Sequence, residues 1–338
     1  KWIDGVNKGE FPILKSVIHQ FSESDLAIVK QDWQIIIDKI KAGKAHEISE
    51  GDTMYLAACT KGANAKSMRK QPFSDIPAKQ RAYSLKSSYM TAYVRRILMN
   101  EDVISVFKPE ELKSKSVDEL LHERFAPYIG RSLYELKRHI NFAENKNKAM
   151  YANLVSDLLG IKGTSLDDTD EFAKANIKFK TIRLEPNGVP REHMSFEQID
   201  FDRWLNAPWE ESQVYETFEN TKFLFVVFQF TETERENPNR VPYLKGIKLW
   251  NMPEQIIETE LKELWQTVHD ILAVGVELAQ TPRGVKNNLP GAKFNGVCHI
   301  RPKAVNAADK VQLPDGQMIT KQTYWLNREY IAEIVREL

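Results

Sequence analysis

Apolar residues recur at helical spacing in some parts of the chain and form short continuous runs in others. The helical spacing predicts helices at about 116–126, 131–139, 148–159 and 255–274. The short runs predict strands at about 175–184, 222–230, 245–250 and 297–301. Helices before and after such strands favour an α/β fold in which helices flank a mixed sheet.

One helical pattern occurs twice. In each occurrence a glycine stands ten positions after a tryptophan, Gly43 after Trp33 and Gly275 after Trp265. The residues between carry apolar side chains at helical spacing, so each stretch predicts an amphipathic helix closed by its glycine. Because both tryptophans take an apolar helical position, we expect both in the core.

The similarity continues after the two helices. Each is followed by an apolar strand that runs into Lys-x-x-Asn-Ala, starting at Lys61 and at Lys303. A Lys-x-x-Tyr sequence then precedes a final helix, starting at Lys86 and at Lys321. Four landmarks in one order indicate an internal repeat. The additional residues before Lys303 predict an exposed loop that carries Lys286 and Lys293.

The repeat is unequal in length. About 150 residues precede Trp265 within its copy, whereas 32 residues precede Trp33. We therefore expect residues 1–105, the first unit, to be the C-terminal half of one domain. Residues 106–338, the second unit, would be a complete copy. The first residue is not Met, so we expect the native N-terminus to lie upstream.

Charge is balanced in total and uneven along the chain. Lys plus Arg and Asp plus Glu are 47 each, which excludes a general polyanion binder. Residues 61–96 nevertheless hold nine cations and one acid, and residues 283–303 hold five cations and no acid. Two solvated basic faces are one interpretation of these stretches. Neutralisation of nucleic-acid phosphates is the other.

Cysteine content and hydropathy limit the cellular setting. Cys59 and Cys298 cannot make a disulfide framework or a four-ligand zinc site, which favours a reducing cytoplasm. The longest strongly apolar run, residues 223–228, is far shorter than the ~20 residues of a membrane-spanning helix. No membrane partner is therefore predicted.

The ordered landmarks resemble those of a known family. Residues 300–307 read Ile-Arg-Pro-Lys-Ala-Val-Asn-Ala, and with the segments around Trp33 and Lys61 they resemble the MutH family. The resemblance is closer to the two-domain, GATC-cutting type II restriction endonucleases related to MutH. It implies the restriction-endonuclease fold, present once in full and once as a C-terminal half.

The resemblance also implies a catalytic site. The family hydrolyses DNA phosphodiesters with Mg²⁺ held by a carboxylate and a following Glu-x-Lys. Here the matching positions hold Ser156, Glu171, Lys178 and Lys180, so that Lys178 replaces the essential glutamate. Since a cation at Lys178 repels Mg²⁺, we predict a degenerate site that binds no metal. Mg²⁺ would serve the parent enzyme through its missing front half.

DNA contacts follow from the same resemblance. Arg301 and Lys303 would enter the major groove, where paired donors suit guanine O6 and N7. A solvated strand end is the alternative for these two side chains. In the first copy, Lys61 corresponds to Lys303 and Cys59 corresponds to Arg301. Further DNA contacts are predicted at Lys70, Lys86, Lys222, Lys286 and Lys321.

Three functions remain open at this point. In the first, the chain is the DNA-recognition and effector part of a GATC-specific restriction endonuclease. Its partners would be GATC-containing duplex DNA, an N-terminal catalytic segment and a second copy in a homodimer. In the second, the chain is a non-enzymatic DNA-binding or methylation-sensing protein. In the third, it is a nuclease with an unrecognised site in 106–338.

Overall fold

The computed structural model describes residues 7–13, 15–61, 67–99, 103–142, 149–282 and 284–338. Its helices are α1 Glu23–Lys41, α2 Ser87–Met99, α3 Pro109–Ser114, α4 Val117–Phe125, α5 Leu133–His139, α6 Met150–Leu158, α7 Asp170–Ala175, α8 Phe201–Asn206, α9 Gln213–Asn220, α10 Glu254–Ile256, α11 Lys262–Val274 and α12 Arg328–Ile334. A π-helical turn, Ile257–Leu261, joins α10 to α11.

The strands are β1 Leu56–Thr60, β2 Met68–Gln71, β3 Ser74–Lys79, β4 Arg81–Leu85, β5 Ile177–Leu184, β6 Met194–Gln198, β7 Lys222–Gln229, β8 Tyr243–Asn251, β9 Leu278–Thr281, β10 Gly284–Asn287, β11 Cys298–Pro302, β12 Lys310–Gln312, β13 Met318–Thr320 and β14 Gln322–Leu326. Sheets flanked by helices confirm the predicted mixed α/β class. The predicted strands correspond to β5, β7, β8 and β11. The loop predicted for Lys286 was wrong, because this residue lies in β10 of a hairpin.

The principal sheet has the order β5-β7-β8. Strand β5 runs parallel to β7, and β8 runs antiparallel to it. Strand β7 is buried on both faces, so alternate side chains enter different cores. Phe223, Phe225 and Val227 pack into one hydrophobic cluster, whereas Leu224 and Val226 pack into the other.

A second sheet, β11-β14-β6, has a smaller counterpart, β1-β4, in the first unit. In both cases an apolar strand is followed by a hairpin, an antiparallel return strand and a helix. The hydrogen bonds correspond as well. The Lys61 N–H donates to the Gln80 carbonyl at 2.8 Å, and the Lys303 N–H donates to the Lys321 carbonyl at 3.0 Å.

This correspondence corrects one predicted landmark. The Lys86 N–H donates to the Tyr55 carbonyl, and the bond with the same role in the second unit comes from Asn327. The counterpart of Lys86 is therefore Asn327 and not Lys321. The shared sequence is Tyr-x-Leu-x-x-x-Tyr, which ends at Tyr89 in the first unit and at Tyr330 in the second.

The two tryptophans differ in burial. Trp265 is 7% exposed and contacts Trp209, with ring centroids 5.6 Å apart. Trp33 is 47% exposed, so its predicted core position was wrong. The residue beside it, Asp32, is buried instead and accepts backbone N–H groups from Met54, Tyr55 and Leu56 at the start of β1.

One hydrophobic cluster contains residues from both units. Ile28, Tyr55 and Tyr89 lie in the same cluster as Phe107 and Leu121. The boundary predicted at residue 105 therefore does not separate two cores. Within the described part of the chain, no helix is long and apolar enough to cross a membrane.

Candidate nucleic-acid interface

Two of the predicted DNA-binding side chains extend from the end of β11. Arg301 and Lys303 are both exposed, and both approach the ring of Trp325 on β14. The Arg301 guanidinium carbon is 5.8 Å and the Lys303 ammonium 6.0 Å from the centroid of that ring. The Trp325 indole N–H donates to the Arg301 carbonyl at 3.2 Å. The aromatic ring thus restrains two cations that would otherwise be mobile.

A buried histidine lies on the same strand. His299 is 1% exposed, and its Nδ1 is hydrogen-bonded to Oδ1 of Asn327. Burial lowers the pKa of His299 to about 4, and the charge of Arg301 contributes in the same direction. The His193 ring lies 4.6 Å away and accepts the Arg328 N–H. Both histidines therefore act as uncharged structural groups beside the exposed cations.

Lys178 and Lys180 lie on one face of β5, two residues apart. They line a cleft of about 540 Å³, here called the lysine cleft, whose wall also includes Asp167, Asn220 and Thr221. Asp167 accepts the Phe179 N–H at 2.8 Å, and its other oxygen is 3.8 Å from the Lys178 ammonium. Burial lowers the pKa of Lys180 and raises the pKa of Asp167.

Glu171, the predicted counterpart of a metal-binding carboxylate, is engaged elsewhere. It lies on α7, is 1% exposed and accepts the N–H groups of Val106 and Phe107 and the hydroxyl of Ser105. Burial raises the pKa of this carboxyl group. Its role is to hold the chain at the start of the second unit, which sequence matching could not reveal.

The residues at this site do not fit Mg²⁺. Lys178 stands where the resemblance requires a glutamate, Ser156 on α6 brings a hydroxyl group, and the Glu171 carboxylate already has three donors. Among the described residues, no group of three or more His, Cys, Asp or Glu side chains could hold a metal ion. Mg²⁺ requires several hard oxygen ligands, which this arrangement does not supply.

Two predicted DNA contacts are buried, and their assignment to DNA is corrected here. Lys222 is 7% exposed and donates to the Asp52 carbonyl at 3.1 Å and to Asn251 Oδ1 at 3.4 Å. Lys86 donates to the Ala175 carbonyl. Burial lowers the pKa of Lys222, and burial together with nearby Lys222 lowers that of Lys86 to about 8. Both side chains join the two units instead of facing solvent.

The other predicted cations lie at the surface. Lys61, Lys70 and Lys286 are exposed. Lys321 is half-buried and forms an ion pair with Asp309 at 2.7 Å. Cys59, at the position of Arg301 in the first unit, is half-buried, and burial raises the pKa of its thiol to about 11. Lys61, Lys70 and Lys286 are therefore available to an anionic partner, whereas Lys321 already has one in Asp309.

No protein-family profile matches the chain. It is, however, 36% identical to the type II restriction enzyme Sau3AI of Staphylococcus aureus, in an alignment of 380 residues that covers the whole chain and 76% of that enzyme. The chain belongs to this family of type II restriction enzymes. The predicted relationship to such enzymes is thereby confirmed.

Members of a second group are more distant relatives of this restriction-enzyme chain. The DNA mismatch repair protein MutH of Shewanella amazonensis is 25% identical over 235 residues, which cover 67% of the chain and 96% of that protein. MutH of Vibrio campbellii is 27% identical over 191 residues, which cover 55% of the chain and 77% of that protein. The predicted MutH relationship is also confirmed.

Sequence analysis had not identified three residues beside Arg301 and Lys303. Trp325 contacts both side chains, and Ser195 accepts a hydrogen bond from Lys303 at 2.7 Å; the third residue, Arg328, is linked through its N–H to the neighbouring His193. Ser195 belongs to β6, a strand that was not predicted. In β14 the half-buried Trp325 interrupts a row of buried residues.

Proposed function

We propose that this restriction-enzyme chain is a sequence-specific DNA-recognition and effector portion that binds GATC-containing duplex DNA. The second unit would bind the duplex without cutting it. The observation that carries the proposal is a contrast within that unit. Arg301 and Lys303 are exposed and held over Trp325, whereas Lys178 occupies the position of a metal-binding carboxylate. The side chains that would read bases are exposed, and the carboxylates that would hold Mg²⁺ are missing from the matching positions.

The first unit would be the C-terminal half of the catalytic domain. Its sheet has two strands, β1 and β4, whereas the corresponding sheet of the second unit gains β6 as a third. Of the 23 large apolar side chains that are exposed in the described residues, 14 precede residue 100. Where exposed apolar side chains are contiguous, they usually mark an interaction site. A front half of the domain that covers these side chains would also supply the carboxylates for Mg²⁺.

Buried ion pairs offer a route by which one unit could affect the other. Arg81 at the start of β4 donates to Glu219 at 3.0 Å and to Glu254 at 3.3 Å, and Lys79 pairs with Glu254 at 2.7 Å. Burial, followed by the charge of Glu254, raises the pKa of Glu219. Glu219 lies on α9, and leaving a buried charge unpaired is costly. A shift of α9 upon DNA binding would therefore also displace its partner Arg81 in the first unit.

Binding and cleavage assays test the proposal together. The purified chain should bind a GATC duplex more tightly than a scrambled duplex and leave a GATC plasmid uncut in Mg²⁺. A chain extended to its native Met should cut the same plasmid. Site-specific cutting by the present chain would contradict the proposal. Binding without any cutting by the extended chain would instead favour the non-enzymatic, methylation-sensing alternative.

A further inference from the structure

The lysine cleft contains two ammonium groups with unused hydrogen-bond donors. Among the described residues, neither Lys178 nor Lys180 donates a hydrogen bond to a protein acceptor. The nearest carboxylate to Lys178, that of Asp167, is 3.8 Å away, which is too far for a hydrogen bond. Lys178 is exposed and Lys180 is half-buried, whereas the buried Lys174 donates to Asp25 at 3.1 Å and to Asp170 at 2.7 Å.

We propose that Lys178 and Lys180 bind a backbone phosphate of DNA directly, so that the second unit holds its duplex without a divalent metal. This inference rests on the proposed function and concerns the same surface. The ammonium of Lys178 would take over the electrostatic task of Mg²⁺, which is to attract a phosphate oxygen. It would not take over the chemical task, because an ammonium group does not generate hydroxide from bound water.

The local charges favour an anion. The charges of Lys178 and Lys303 both act on Lys180, and the opposing carboxylates are those of Asp167 and Glu197. Burial lowers the pKa of Lys180, and the charges of Lys303 and Lys178 lower it further. A phosphate between these lysines would relieve their repulsion and satisfy donors that the protein leaves free.

The cleft is also connected to the base-reading side chains. Lys303 donates to Ser195, and the Lys180 ammonium lies 5.4 Å from the ring centroid of Phe196, the next residue of β6. Strand β6 thus lies between the phosphate-binding lysines and the side chains that would enter the major groove. A phosphate contact beside the base-reading side chains would position the duplex, whereas the base contacts would specify its sequence.

The proposal makes two measurable statements about DNA binding. The affinity for a GATC duplex, measured by fluorescence anisotropy at constant ionic strength, should be no higher in Mg²⁺ than in EDTA, because Mg²⁺ only competes for the DNA phosphates. Lys178→Gln and Lys180→Gln should each reduce the slope of log K against log salt by about one, with the ratio of GATC to scrambled affinity preserved. Lys178→Arg should retain the wild-type slope.

Lys137→Gln is the matched control. It removes a lysine from α5, which adjoins β8 at the sheet edge opposite β5, so the slope should not change. A duplex with one neutral methylphosphonate, moved along the strand, gives a second test. At one position the neutral group should lower the affinity of the wild-type protein for the duplex. The affinity of Lys178→Gln should not change at that position.

The outcomes separate the two proposals. A GATC preference that persists while Lys178→Gln leaves the salt slope unchanged, or binding that requires Mg²⁺, would overturn the phosphate site alone. Equal affinity for all duplexes, with the slope still reduced by Lys178→Gln, would support the phosphate site and overturn the GATC assignment. Circular dichroism and melting of each variant establish that it is folded.

Discussion

Gly51 lies so close to Asn251 that a β-carbon at position 51 would come within 2.8 Å of the Asn251 Cβ. The Asn251 amide also donates to the Ser49 hydroxyl at 3.2 Å and to Asp52 Oδ1 at 3.1 Å. A loop of the first unit is therefore seated on the end of β8 in the second. Position 51 requires glycine because the two units approach too closely there for a side chain.

Gly51→Ala should weaken this contact. We expect the free energy of unfolding to fall by about 1–3 kcal/mol, because the added methyl group overpacks a close interface. Urea denaturation measures the change. Gly291→Ala is the control, since a β-carbon there would meet no atom within 4 Å. Equal stability of the two variants would show that the loop can move away without cost.

Lys222→Met should affect stability and not DNA binding. Methionine keeps an apolar stem but loses the ammonium that donates to the Asp52 carbonyl, which leaves a buried acceptor without its partner. The expected loss is about 1–3 kcal/mol of unfolding free energy. The salt slope of DNA binding should equal that of the wild type. A slope reduced by one would return Lys222 to the DNA-contacting residues.

Arg301→Ala and Lys70→Ala should separate sequence reading from phosphate attraction. Arg301→Ala should reduce the preference for the GATC duplex over a scrambled one by about 1–3 kcal/mol. Lys70→Ala, which removes an exposed cation of β2, should weaken both duplexes equally and lower the salt slope by about one. Competition binding gives both quantities. An unchanged specificity ratio in Arg301→Ala would refute the base-reading assignment.

His299 should make the protein less stable in mild acid. Its pKa of about 4 in the folded chain lies below the ordinary value of 6.5. Between these values the unfolded chain binds a proton that the folded chain does not. The stabilisation is complete above pH 6.5 and is lost as the pH falls toward 4.

The expected loss between pH 7 and pH 5 is about 2 kcal/mol relative to His299→Gln, which cannot titrate. Urea denaturation of both proteins at the two pH values measures this difference, because the other titrating groups are common to both. An NMR titration of His299 gives its pKa directly. A midpoint near 6.5 would mean that the folded chain tolerates the charge, and the pH dependence of the two proteins would then coincide.

The pattern of apolar residues along the chain was sufficient to predict those helices and strands of the second unit that contain long apolar stretches. Strand β7 is buried on both faces, so its continuous apolar run identified it without any knowledge of its neighbours. Strand β6 escaped notice because it is short and half-exposed, and its pairing with β14 comes from residues far away in the chain. Strands of this kind are defined by their partners and only weakly by their own residues.

The site was predicted in part for a similar reason. The exposure of Arg301 and Lys303 at a strand end agrees with their place in the motif, while their role in DNA binding stays a prediction. The burial of Lys86 and Lys222 was not predicted, since it arises where the first unit packs against the second. Trp33 shows the converse effect. It has the helical position of Trp265 but lacks a covering residue such as Trp209.

The cluster that joins Ile28, Tyr55 and Tyr89 to Phe107 and Leu121 has a consequence for cooperativity. Segments that share one core lose their packing together, so the two units should unfold in a single transition and not as separate bodies on a tether. A ligand that binds only the folded second unit then also stabilises the first through the same equilibrium. The two units, which were distinguished by the repeat in the sequence, therefore behave as one cooperative unit in unfolding.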